Sequence, residues 1–260
     1  MNRTFSRFAP GAAEIFILLC LMLVGALLGN LVSLPLAGRR AGLEITMLLS
    51  YPVMFLPPMI YAALKSRRNA GGASIALDRN NFTPHTGLLC ALVAMAGTLC
   101  LSYCSDALVD LLPPMPEWLE EALASLTGGS LWADFVCVSI FAPLCEEWLC
   151  RGMVLRGLLA HRVKPGRAIA ISALFFAFIH LNPWQAIPAF LLGSLFGYVY
   201  WKTGSLKLTM LMHFTNNTLA LAMSRVDAFE DTGNWILSAA CIVAVALSVL
   251  FFRKTTPARP

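Results

Sequence analysis

Three stretches of the chain run without a charged residue for the length of a bilayer span: Ile15–Gly38 over 24 residues, Ile45–Leu64 over 20 and Thr232–Phe252 over 21. A helix needs roughly 20 apolar residues to cross about 30 Å of hydrocarbon, so each is predicted to be a transmembrane helix. Admitting isolated polar positions extends the reading to eight hydrophobic segments, near residues 12–37, 42–64, 87–112, 131–155, 168–181, 185–201, 207–223 and 234–252. The fifth and sixth share one charge-free run of 34 residues, Ala168–Trp201, long for one helix and short for two. Asn182-Pro183 supplies the break, because a proline disfavours helix at the residue before it and can start a new one. The segment before that break, 168–181, is only about 21 Å long and is expected to stop inside the membrane.

The pattern therefore predicts an all-α polytopic membrane helix bundle of about eight transmembrane segments, one transmembrane domain over residues 1–260. Eight crossings put both termini on one side. Most of the Lys and Arg fall there, among them Lys65, Arg67, Arg68, Arg156, Lys202, Lys207 and Arg253. The other side receives Arg39, Arg40 and Arg225, beside Glu117, Glu120, Glu121, Asp227, Glu230 and Asp231. The positive-inside rule makes the first side, and both termini, cytoplasmic, with the Arg39-Arg40 pair dissenting. Trp118, Trp132, Trp184 and Trp235 then line the outer interface. Between the third and fourth segments, "PPMPEWLEEALASL" reads as a proline turn and a short amphipathic helix, with Trp118, Leu119, Ala122, Leu123 and Leu126 as its apolar face on the outer leaflet.

Composition agrees: 58% of the residues are hydrophobic and 13% charged, against roughly 25% charged in soluble domains. The apolar part of the N-terminus exceeds the roughly 7–15 residues of a cleavable signal and is read as an uncleaved first span. The net charge of +5 is scattered over short loops and does not signal nucleic acid. Of the eight cysteines, Cys20, Cys90, Cys100, Cys137, Cys145, Cys150 and Cys241 lie in candidate spans; no metal-type CxxC pair occurs, so they read as small buried residues.

Against this background the polar residues inside spans stand out, since each ionisable one costs about 2.5–3.5 kcal/mol at a helix centre. In "CEEWLCR", Glu147 and Arg151 are four apart and share a helix face, so they are expected to pair. That pair by itself is equally a device that fixes helix geometry. Glu146 points about 100° away and lies about 15 Å deep, measured from Arg156. His180, in "FAFIH", and His213, in "HFTNN", lie at bracketing depths, with Asn217 on the face of His213. Three helices thus bring Glu, His and His/Asn to neighbouring levels. A carboxylate and an imidazole can activate water, and a second imidazole with a carboxamide can stabilise the oxyanion of an attacked carbonyl. Neither GxSxG nor HExxH is present. Glu146, His180 and His213 remain open as a two-histidine, one-carboxylate zinc set, and a proton-relay carboxylate would look similar.

In order and spacing, "EEWLCR", "FAFIH" and "HFTNN" resemble the EExxxR, FxxxH and HxxxN motifs of the CAAX-protease and bacteriocin-processing family (CPBP, or Abi) of intramembrane glutamate proteases, which includes the CAAX prenyl endopeptidase. "GSLFGYVYWKTGSLKLTMLMHFTNN" is similar to the stretch that joins the last two motifs in that family, and the residue before Arg151 departs from it, Cys150 replacing an aromatic. The resemblance divides the chain into N-terminal helices (1–112), a catalytic core (130–222) and a last helix (234–252). It implies that Glu146 activates water with help from His180, that Glu147 and Arg151 support that carboxylate, and that His213 and Asn217 form an oxyanion hole. Phe176 would wall the cavity. It implies peptide-bond hydrolysis without a metal or other cofactor, on a peptide or membrane-anchored protein, lipidated or not, in a water-filled cavity open to the cytoplasm or laterally to lipid. The chain's length suggests a bacterial plasma-membrane protein. The competing readings are a non-catalytic immunity or accessory protein of the same fold, a proton-coupled carrier, and a zinc-dependent protease. Absence of an internal repeat argues against the carrier.

Overall fold

The computed structural model describes residues 2–33, 35, 40–127, 130–225 and 235–256, and among these every regular element is a helix. A short turn, α1 (Asn2–Phe5), precedes α2 (Ala12–Ser33), α3 (Arg40–Arg68), α4 (Pro84–Val109) and the surface helix α5 (Glu117–Thr127). One continuous helix then runs over 131–160 and is called α6; α7 (Pro165–Phe178), α8 (Pro183–Thr203), α9 (Leu206–Met223) and α10 (Trp235–Thr255) follow. Residues 36–39, 128–129 and 226–234 lie outside the described residues, and with them Arg39, Asp227, Glu230 and Asp231 of the charge reading.

All eight hydrophobic segments fall on helices, but they are not alike. Four are long and apolar enough to cross a membrane: Ala12–Val32, Glu44–Arg68, Thr86–Val109 and Trp235–Thr255. Of the rest, α7 is apolar but short. Segments α6, α8 and α9 fall short because their apolar positions alternate with the polar groups and glycines that build a protein interior, so hydropathy along a single helix undercounts them.

Helix α3 keeps its helix through Pro52, Pro57 and Pro58, which membrane helices tolerate when neighbours cover the freed carbonyls. It packs on α2 at Gly25, where a Cβ would sit 2.0 Å from the Met54 carbonyl oxygen; only glycine permits that approach. At the foot of this hairpin Lys65 Nζ meets Glu14 Oε1 at 3.1 Å. Asn182 caps α8, its Oδ1 accepting from Gln185 N at 2.9 Å, and Gly204 ends it with φ 65°. Asp78 Oδ1 accepts from the N–H groups of Leu206 and Lys207 at 2.8 and 3.3 Å, closing the start of α9.

These last contacts belong to a tightly stitched basic end. Arg156 is buried and donates to four carbonyls, those of Gly152 (2.6 Å), Ile75 (2.9 Å), Phe5 (3.4 Å) and Phe8. Phe5 stacks edge-on against Trp148 at 5.2 Å, and Tyr200 donates to the Leu77 carbonyl at 2.7 Å. Residues 148–155 are all buried. The N-terminal segment and the loop after α3 thus form a packed floor beneath the core helices.

Helix α6 departs from the expected uniform α-helix over 131–155. It extends to Ala160, and Phe135–Phe141 and Trp148–Leu155 are π-helical, flanking the α-helical turn Ala142–Glu147. Such wider turns cluster at functional sites. Their carbonyls receive extra hydrogen bonds from neighbouring side chains: Val138 O from Asn217, Cys150 O from Ser172 and Gly152 O from Arg156. A second departure concerns α7, which ends at Phe178, so that His180 stands in the turn and Leu181 takes φ 58°.

Candidate active site

Glu146 and Glu147 leave the short α-helical turn of α6 in different directions, as their 100° offset requires. Glu147 is fully buried; its Oε1 accepts from Arg151 Nη1 at 2.6 Å and from His213 Nδ1 at 3.1 Å. Arg151 is fully buried too and donates through Nη2 to the Gly193 carbonyl at 2.9 Å. Its guanidinium lies over Phe176 at 4.8 Å and Phe196 at 5.3 Å. Two charges this deep hold together only because each is paired and hydrogen-bonded. Gly193 leaves little room for a side chain: a Cβ there would meet Phe176 Cδ1 at 3.1 Å, Ala173 Cα at 3.3 Å and Arg151 Nη2 at 3.3 Å.

Glu146 faces a cavity of about 810 Å³. Its Oε1 accepts from the Tyr51 hydroxyl, and its Oε2 lies 3.8 Å from His213 Nε2. That separation is too long for a direct hydrogen bond and suits a bridging water. His180, Phe176, His213 and Asn217 line the same cavity. Phe176 is the hub of the wall, edge-on to His180 at 5.0 Å and to His213 at 5.5 Å.

Hydrogen bonding fixes the tautomers of both imidazoles. Glu147 Oε1 and the Phe176 carbonyl only accept, so Nδ1 carries the proton in His213 and, at 2.8 Å, in His180. When neutral, each ring therefore presents a bare Nε2, an acceptor. Asn217 donates one N–H to the Val138 carbonyl at 2.9 Å, and its Oδ1 accepts from Asn216 at 3.2 Å, leaving it one further N–H.

All six expected polar residues, and Phe176, are thus gathered around one cavity or directly behind it. His213, expected with the oxyanion, is the imidazole in contact with Glu146; His180 bonds the Phe176 carbonyl instead. Tyr51 was missed altogether. Its only sequence signal is the polar pair Ser50-Tyr51 before Pro52 in an otherwise apolar run. Among the described residues no three His, Cys, Asp or Glu side chains are grouped as metal ligands, so Glu146, His180 and His213 do not converge as the zinc set would require. The eight cysteines are free; Cys137 lines the cavity and Cys145 is half-buried beside Glu146.

Carboxylates and imidazoles held inside an all-helical bundle with membrane-length helices define a multi-pass membrane protein with a polar site among its helices. Residues 128–219 match the Rce1-like family, described as type II CAAX prenyl endopeptidase Rce1-like, a family of proteases, and this bears out the resemblance seen in the three motifs. The matched stretch holds all three motifs and excludes Tyr51. No curated protein and no solved structure gave a significant match.

Proposed function

We propose that the protein is an intramembrane endopeptidase in which Glu146 activates water. The observation that carries this reading is the division of labour between adjacent carboxylates: Glu147 is sealed against Arg151 and His213, whereas Glu146 opens onto the cavity with one oxygen held by Tyr51. A water between Glu146 Oε2 and His213 Nε2 faces two acceptors and points both its protons at them. Its lone pair is then aimed at the cavity, where a peptide carbonyl would lie.

On attack, the water oxygen bonds to the carbonyl carbon and its proton passes to Glu146 or His213. Protonation of His213 creates the Nε2–H that the neutral ring lacks, so the same transfer that makes the nucleophile supplies a donor for the oxyanion. The free N–H of Asn217 is the second donor. The proton then moves to the leaving nitrogen as the C–N bond breaks. His180, with its bare Nε2, accepts a hydrogen bond from substrate or water on the opposite wall. Glu147 and Arg151 act through His213 and Gly193, setting the ring's tautomer and the position of α8. The reaction draws on these side chains alone, without a metal. The bundle completes eight crossings with both termini cytoplasmic; its substrate is a peptide segment of a membrane-anchored or membrane-associated protein.

The test is cleavage by purified protein in lipid vesicles. Glu146→Gln is expected to abolish it while the variant elutes and melts like the parent. Undiminished cleavage by Glu146→Gln would remove the mechanism, and loss of cleavage on exhaustive chelation would replace it with a metal-dependent one.

A further inference from the structure

The cavity occupies only one half of the bundle, and which half it occupies has a consequence for the substrate. Its lining includes Glu146, Phe196 and His213 on three of the core helices. From there it reaches the turns at the end that carries α5, where exposed Asp106, Glu120, Gln185 and Ser224 line it. Met115 and Leu123 line it at the same end. Trp184, also in the lining, ties that mouth together by donating to the Pro113 carbonyl at 3.0 Å.

At the other end a hollow of about 550 Å³ lies among Arg7, Arg68, Gly72, Ile75 and His161, and none of its lining residues belongs to the site around Glu146. Below Glu146 the helix is wholly buried through Leu155, Arg156 is caged by carbonyls, and Phe8 and Leu77 are sealed at 1% exposure. That sealed end is also the basic one, carrying Lys65, Arg162, Lys164, Lys202, Lys207 and Lys254 on successive chain turns. The contacts Lys65–Glu14, Lys207–Asp78 and Asn81 with the Lys202 carbonyl show that these turns share one end. A basic excess of this kind marks the cytoplasmic face.

We infer that the catalytic cavity is entered from the extracytoplasmic side, so that the substrate is an extended segment of an exported or outer-leaflet-anchored protein and not a tail presented from the cytosol. The substrate class rests on the peptidase reading above; the sidedness does not. A peptide bond arriving at Glu146 passes α5 and the turn at His180, and the packed floor separates it from the cytoplasm throughout.

Labelling with a membrane-impermeant maleimide tests this, in intact cells and in inverted membrane vesicles. Glu120→Cys reports the mouth, Arg67→Cys the basic end and Ser50→Cys the deep cavity, against the background of the eight native cysteines; Ser102→Cys replaces Ser50→Cys if the latter does not accumulate. Glu120→Cys and the deep-cavity variant are expected to label at least tenfold faster in intact cells, and Arg67→Cys at least tenfold faster in inverted vesicles. A deep-cavity cysteine that labels only in inverted vesicles overturns the inference. In parallel, a mixture of quenched fluorescent peptides is added to right-side-out and to inverted vesicles. Cleavage confined to right-side-out vesicles supports it, and cleavage confined to inverted vesicles refutes it. Outer labelling of the cavity with no cleavage in either orientation leaves the sidedness standing and counts against the peptidase.

Discussion

The half of the bundle that holds the cavity and the half beneath it are built from the same helices, yet they solve opposite problems. In the hollow half, Glu146, His180 and Asn217 face open space and are held by few, directional bonds. In the packed half, Glu147, Arg151 and Arg156 are as polar but enclosed and held by fixed partners, with Glu147 Oε2 and Arg151 Nε left without a hydrogen bond. Helix α6 passes through both, and the boundary falls between two consecutive glutamates. Polarity inside a membrane protein therefore does not by itself mark chemistry; what separates the two kinds is whether the group opens onto the cavity or is enclosed against fixed partners.

Substitutions that obey this boundary should split cleanly into losses of activity and losses of stability. The largest effect expected is on Glu146→Gln: removing the base lowers the cleavage rate by about 10²–10⁴-fold, the usual contribution of general-base catalysis, with an unchanged melting temperature in detergent. Next is Glu147→Gln, which strands Arg151 in the packed half and should destabilise by about 3–5 kcal/mol, read as lost expression and a lowered melting temperature. The double change Glu147→Gln with Arg151→Met should recover much of that stability but none of the activity. Recovery of cleavage by the double variant would show that the pair contributes nothing to positioning His213.

How far this boundary was legible in the sequence depended on the kind of signal. The spacing of Glu147 and Arg151 announced their pair, and the offset of Glu146 announced its separation. The motif residues converged because each lies on, or just past the end of, an apolar segment whose direction could be counted. Tyr51 gave no such sign: a tyrosine in a membrane helix is ordinary, and only the packing of α3 against α6 turns its hydroxyl to Glu146. The π-helical stretches were invisible because a reading with 3.6 residues per turn assumes the answer. The state of the imidazoles was not legible either, because a ring's donor is decided by what its other nitrogen touches.

Two smaller effects sharpen the comparison. Tyr51→Phe removes one hydrogen bond to the catalytic carboxylate and should slow cleavage by roughly 10- to 100-fold, in line with about 1.5–3 kcal/mol for a bond to a charged group, without a change in melting temperature. Gly193→Ala presses on Phe176 and Arg151 from the packed side and should cost about 1–3 kcal/mol of stability, seen as an earlier thermal transition. A stable, slow Gly193→Ala variant would mean that the boundary between the halves is softer than the contacts suggest.

The carbonyl cage around Arg156 also bears on the order of assembly. Its acceptors include Phe5 and Phe8, some 150 positions earlier in the chain. During synthesis, the first residues must wait at the membrane surface through the insertion of α2, α3 and α4 before the arginine that fastens them exists. The final sealing of the catalytic half is thus a long-range event that depends on the extreme N-terminus, although no residue there touches the chemistry.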